Sequence, residues 1–268
     1  MLYKEYRIPL PLDVDDFKRG QLYAVSELCR KETGGGEGAE FVTQREFTSS
    51  SLIPGQTVTG TYYHKIYRLK SKAPWILQKM LPEEAFEIHE ESWSAYPYCK
   101  TVLTNPKYMK ENFRQVIEST HLPDNGSAEN PLNGPKKREI ITLDICDDTL
   151  IGKSAYKEDR DPKSFRSEKA EVGPLEDEWI EEHEPIMCAY KLVSIHFKWK
   201  GLTSLVEKTV LKQYTRIFGM FHREAYASID TWYDMTFEEV QEYELETAKI
   251  LRKQLAEPEK RGTKCDDK

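Results

Sequence analysis

The stretch "MCAYKLVSIHFKWKG", Met187 to Gly201, constrains the fold more than any other part of the chain. Read at every second residue, one face is Ala189, Lys191, Val193, Ile195, Phe197 and Trp199. The other face is Cys188, Tyr190, Leu192, Ser194, His196 and Lys198. A period of two marks a β-strand. The run is too long for an ordinary edge strand. It places Lys191 on an otherwise apolar face, and it sets Trp199 between Lys198 and Lys200 where the chain turns at Gly201.

A strand of this kind needs neighbours, and the preceding sequence supplies them. Alternation predicts strands over Tyr3–Leu10, Ala39–Phe47, Val58–Leu69, Phe86–Thr104, Phe113–His121 and Glu139–Ile145. Short links between them predict antiparallel pairing. Asp13 is placed to cap a helix from Val14 to about Lys31, with Phe17, Leu22, Val25 and Leu28 on one face. A short apolar helix is expected at Pro74–Leu81, and "GGGEG" at Gly34–Gly38 reads as a turn.

Residues 147–185 are rich in charge, Pro and Gly and read as a long external loop. A long helix is expected over 202–232, with Leu205, Val206, Val210, Ile217, Phe218, Phe221, Ala225 and Ile229 as its stripe. Thr236 and Glu239 form a capping box for a last helix over 237–255, and the charged tail from Glu257 to Lys268 reads as mobile. The fold class is α+β: a concave, mostly antiparallel sheet with a long C-terminal helix lying across it. The expected organisation is one domain over 1–256.

A chain of 268 residues can bury a core without disulfides or metal. The formal net charge of −7 argues against a general nucleic-acid binder. The five cysteines, Cys29, Cys99, Cys146, Cys188 and Cys265, show no metal or redox spacing and suit a reduced compartment. No signal-peptide core and no run of about 20 apolar residues is present, so a cytoplasmic chain is expected.

No G-x-S-x-G, Walker or G-x-G-x-x-G pattern occurs. "HEESW" at His89 and "HEPIM" at His183 lack the second histidine of a zinc protease helix. No pair of carboxylates stands out as general acid and base, so there is no candidate catalytic residue and no metal site. Asn125-Gly126-Ser127 reads as a turn.

A curved sheet roofed by a helix can enclose a cavity. A lysine facing into it is costly without a charged or hydrogen-bonding guest. A phosphate with apolar tails is such a guest, and burying two acyl chains at about 0.8 kcal/mol per CH₂ contributes on the order of 20 kcal/mol. The alternative from the strand alone is a lysine snorkelling at a sheet margin.

Six blocks together resemble the phosphatidylinositol transfer protein family: "KEYRIPLPLDVDDFKRGQLYAVSE", "TGGGEGAE", "HKIYRLKSKAPWI", "HEESWSAYPYCKTVLTN", "EPIMCAYKLVSIHFKWKGL" and "FHREAYASIDTWYDMTFEEV". They run in order from Lys4 to about Lys249 and match its small single-domain members. The resemblance implies a START-like fold closing over one phospholipid, carried as cargo and not as a cofactor. It implies phosphate contacts from Gln21, Thr101, Ser119 and Lys191, with serine at 119 where the family has threonine. It places an inositol region at Tyr63, Lys65, Ser94 and Glu244. Tyr63 and Ser94 stand where the family has threonine and asparagine, which puts phosphatidylinositol preference in doubt and favours phosphatidylcholine.

The resemblance further makes Cys99 a cavity-lining residue and Ser167 a phosphorylation candidate beside Arg166 and Lys169. The family's paired-tryptophan docking loop reads "KWKG" here, leaving Trp199 with Lys198 and Lys200 as a weaker, more salt-dependent anchor. A lone surface tryptophan is the alternative. The implied protein is a monomeric, non-enzymatic carrier that touches membranes transiently. The alternative function is a module that presents lipid to a lipid kinase.

Overall fold

The computed structural model describes residues 2–73, 75–151, 156–199 and 203–262, with backbone alone for residue 2 and residues 203–212. Among the described residues, the strands are β1 (Leu2–Leu10), β2 (Gly38–Ile53), β3 (Gln56–Arg68), β4 (Glu87–Ala95), β5 (Tyr98–Thr104), β6 (Phe113–Leu122), β7 (Glu139–Thr142) and β8 (Met187–Phe197). The helices are α1 (Val14–Glu32), α2 (Trp75–Met80), α3 (Trp179–Glu182), α4 (Thr203–Ala227), α5 (Ile229–Trp232) and α6 (Phe237–Ala256).

The strands form one sheet in the order β2-β3-β4-β5-β6-β8-β1-β7. Helix α1 packs against α4 and α6, α4 lies against β1 and β8, and α6 and α1 lie against β2. The α+β class with a mostly antiparallel sheet holds. Expected residues Pro74, Lys200, Gly201 and Leu202, the side chains of Leu205, Val206 and Val210, and the tail from residue 263 lie outside the described residues.

Several local expectations are corrected. The run expected as one strand over Phe86–Thr104 is a hairpin, because Pro97 lacks an N–H and the chain turns at Tyr96-Pro97 between paired Ala95 and Tyr98. β7 is shorter than expected and runs parallel to β1. The long helix ends at Ala227, where the Ser228 hydroxyl donates to the Glu224 carbonyl at 2.8 Å, and α5 starts one residue later.

Asp13 stands at the start of α1 without a side-chain capping bond. The buried side of α1 is Phe17, Gly20, Tyr23, Ala24, Ser26 and Cys29, whereas Leu28 is exposed. This side is wide because α1 meets α4 and α6 at once. Tyr23 stacks on Tyr243 of α6, and Gly20 lies under Trp232, where a Cβ would come within 2.7 Å of the ring. The Thr236–Glu239 capping box of α6 is formed.

The excursion over 147–185 is exposed along much of its length but is anchored from within. Leu150, Val172, Leu175 and Trp179 join the main hydrophobic cluster. Buried Arg223 of α4 pins the segment through Asp148 at 3.0 Å and Asp161 at 3.1 Å.

The hydrophobic interior falls into two clusters. The larger joins β1 and β8 to α4, α5 and the front half of α1, through residues such as Tyr6, Ile8, Phe17, Val193, Phe218 and Trp232. The smaller joins β2 and β3 to α6 through Phe41, Tyr63 and Leu251. Between them, the same face of β4, β5 and β6 carries polar residues. A sheet roofed by helices normally buries one continuous apolar face, so this polar strip marks the functional site.

Candidate functional site

Strand register assembles the strip. Lys191 lies opposite Ser119, Ser119 opposite Cys99, and Cys99 opposite Ser94. Directly opposed residues share a face. One row therefore brings Lys191, Ser119, Cys99 and Ser94 together from four strands. The next row, two residues along, runs from Thr101 to Ser92 and Tyr63. A third pairs Lys65 with Glu90 and places Leu103 beside Gln115. Seven of the expected site residues, Lys191, Ser119, Thr101, Cys99, Ser94, Tyr63 and Lys65, thus face one space. Lys191, Cys99 and Tyr67 are only partly buried, so each keeps some surface free.

The two lysines differ in their partners. Lys65 is buried 3.7 Å from Glu90 and lies over the Phe41 and Tyr63 rings. Burial would depress its pKa, but Glu90 and the other acidic neighbours outweigh that and hold it above the ordinary lysine value. Among the described residues no carboxylate pairs with Lys191. Its recorded neighbours are the Phe218 ring at 5.4 Å and the Cys99 thiol. Burial pushes the Lys191 pKa down from 10.5 to about 8. A shift of that size is worth about 3 kcal/mol against the charged form. A buried cation without a counter-ion calls for an anionic guest, which disfavours the snorkelling alternative.

The far end of the strip is closed by α6. Glu244 is almost fully buried, and its Oε2 accepts from the Tyr63 hydroxyl at 3.0 Å and from Gln44 Nε2 at 2.9 Å. Burial raises the Glu244 pKa against the opposing pull of Lys65 and these two donors. The recorded ion pair of Lys65 is with Glu90, not Glu244. The other Glu90 oxygen accepts from the Tyr67 hydroxyl at 3.0 Å. The Tyr63 hydroxyl therefore shares one oxygen of the Glu244 carboxylate with Gln44. Glu90 and Gln44 went unmarked in the sequence, although Glu90, Ser92 and Ser94 already alternate in "EESWS".

The remaining expected residues lie apart. Gln21 is half-buried on α1, one turn after Phe17, and among the described residues it forms no bond to the phosphate set. Trp199 is half-buried, with ring centroids 6.1 Å from Phe197 and 6.2 Å from Tyr108. Beside it Lys198 is exposed. The register joins Arg68 to Glu87, Thr104 to Arg114 and Phe113 to Phe197, so α2 emerges at the same end of the sheet as Trp199. On α2, Trp75 is 51% exposed and Met80 73%. This apolar patch was missed because a short apolar helix reads equally well as core.

Ser167, the phosphorylation candidate, is buried. The segment folds back through the Ser167–Val172 bridge. This buries the hydroxyl, which donates to Asp230 at 2.5 Å and accepts from the Ala170 N–H at 3.0 Å.

Among the described residues no group of three or more His, Cys, Asp or Glu is arranged to hold a metal ion. Among them, too, no helix is long and apolar enough to cross a membrane.

Comparison with known proteins places these features. Residues 1–249 match the family model described as "Phosphatidylinositol transfer protein". The chain is 42% identical to the phosphatidylinositol transfer protein beta isoform of Bos taurus over 276 aligned positions, covering 100% of this chain and 99% of the relative. It is 40% identical to phosphatidylinositol transfer protein 1 of Dictyostelium discoideum, covering 96% of this chain and 97% of the relative. The membrane-associated phosphatidylinositol transfer protein 2 of Mus musculus is 38% identical over 98% of this chain, which spans 20% of that longer relative.

Proposed function

The chain belongs to the phosphatidylinositol transfer protein family, and on that premise we propose that it encloses one glycerophospholipid and exchanges it between membranes. The single observation that carries this reading is Lys191, an enclosed lysine with no carboxylate partner among the described residues. The lipid phosphate is the counter-ion it lacks. Ser119 and Thr101, on the same face, supply hydroxyl donors. The carrier acts without covalent chemistry.

Headgroup choice follows from the far end of the strip. In our reading Tyr63 saturates one Glu244 oxygen, and Ser94 offers a shorter polar group than asparagine. Both changes disfavour an inositol ring, so phosphatidylcholine is the preferred cargo. Cys99 lines the route between phosphate and headgroup. Docking uses the end of the sheet that carries Trp199, Lys198 and the exposed apolar side chains of α2, Lys200 is read from the sequence as a further cation, and the protein works as a monomer. Vesicle-to-vesicle transfer of labelled phosphatidylcholine tests the proposal. Lys191→Ala should abolish transfer with the fold intact, and unchanged transfer would overturn the phosphate role.

A further inference from the structure

Two fully enclosed histidines flank Lys191, and the carrier function described above gives them no role. His121 lies on β6, two residues beyond Ser119 and on the same face, so it is the diagonal neighbour of Lys191. His222 lies on α4, one turn beyond Phe218, whose ring sits under the Lys191 ammonium. The Phe17 ring lies between them, with centroids 5.4 Å from His121 and 5.6 Å from His222.

Their protons are fixed by backbone oxygens. His121 Nδ1 is 2.8 Å from the Pro97 carbonyl, and His222 Nδ1 is 2.7 Å from the Phe218 carbonyl. A carbonyl only accepts, so each Nδ1 carries the hydrogen. Each Nε2 of the neutral ring is then an acceptor. Burial, reinforced by Lys191, pushes His121 down to about 3 and His222 well below its ordinary value, so both rings are neutral near pH 7. Both Nε2 atoms are buried, and among the described residues neither has a hydrogen-bonding partner.

Lys191 has the opposite deficit. Its ammonium carries three N–H donors, and a phosphate bound from the cavity side cannot accept all three. Two unpartnered acceptors beside an under-accepted donor, in a dry interior, are complementary. We propose that His121 and His222 form a neutral acceptor pair that holds the Lys191 ammonium, directly or through one bridging water, and aims it at the lipid phosphate. They are positioning residues, and this inference rests on reading Lys191 as the phosphate cation.

The test separates the two ring nitrogens. His→Asn keeps a donor near the Nδ1 position and removes the Nε2 acceptor. His→Gln loses the first and restores a polar atom near the second. Phosphatidylcholine transfer is measured against pH for Lys191→Ala, His121→Asn, His121→Gln, His222→Asn and His222→Gln. The titratable groups beside Lys191 are Cys99 from β5, Tyr6 opposite it on β1, His121 from β6 and His222 from α4. The two histidines stay neutral through the pH range measured.

Each Asn variant should lose about tenfold in transfer at pH 7, as expected for a lost hydrogen bond to a charged group. Its alkaline limb should move down by about one pH unit, because a removed acceptor no longer favours the ammonium. The Gln variants should recover to within about threefold of the parent protein. Asn variants that match the parent, or Gln variants no better than Asn, would overturn the pair.

Normal transfer by Lys191→Ala would instead remove the phosphate reading itself. If a histidine variant fails to fold, ring ¹⁵N spectra of the unsubstituted histidines decide. Both Nε2 resonances should move between the parent protein and Lys191→Ala, and unmoved resonances refute the contact.

Discussion

Replacing Lys191 by methionine removes the charge and nearly keeps the volume. In the lipid-free protein, burial alone pushes the Lys191 pKa from 10.5 to about 8. The unfolded chain therefore binds more protons than the folded one between those values. The burden on the fold is full below about pH 8 and fades as pH rises towards 10.5. It amounts to about 3 kcal/mol at pH 7.

Lys191→Met should thus raise the stability of the lipid-free protein at pH 7 by up to about 3 kcal/mol, and the gain should vanish near pH 10.5. The loaded protein behaves in reverse. Losing a hydrogen bond from a charged group to phosphate costs about 1.5–3 kcal/mol, so lipid affinity should fall about ten- to a hundredfold or more. Thermal unfolding of lipid-free and lipid-loaded protein from pH 7 to 10.5, with vesicle transfer of labelled phosphatidylcholine, reads both effects. A substituted protein that is less stable when empty, or that transfers lipid normally, would refute the reasoning.

Other perturbations test other parts of the site. Trp199→Ala should leave the bound lipid unchanged by mass but slow exchange, with a steeper loss as salt rises. If loss of bound lipid accounts for the slower exchange, the docking role fails. Tyr63→Thr combined with Ser94→Asn frees Glu244 and restores an amide. It should raise relative phosphatidylinositol transfer about five- to a hundredfold, from two hydrogen bonds of about 0.5–1.5 kcal/mol each. Strong phosphatidylinositol transfer by the unsubstituted protein would contradict this. Ser167→Glu buries a carboxylate beside Asp230 and should destabilise by about 1–3 kcal/mol in thermal unfolding. A neutral result would mean that the 167–172 turn is open in solution.

Period-two alternation in β8 made Lys191 readable, whereas Ser119 and Thr101 came only from the family resemblance. The sequence could not show that Lys65 has Glu90 for a partner and Lys191 has none, because that contrast depends on which strands become neighbours. Tyr63 was legible as a departure from the family, but its bond to Glu244 joins residues 181 positions apart. The burial of Ser167 was hidden for the same reason, since its partner Asp230 lies 63 residues on. The break after Ala227 was hidden because Ser228 competes for carbonyls with a side chain that helix periodicity does not register.

The central claim is that one phospholipid is enclosed with its phosphate at Lys191. Native mass spectrometry of the purified protein, beside Lys191→Met prepared identically, tests it most directly. The account predicts one glycerophospholipid per chain, mainly phosphatidylcholine, retained by the protein and largely lost from the substituted form. A protein without lipid, or equal retention of the same lipid by both, would contradict it.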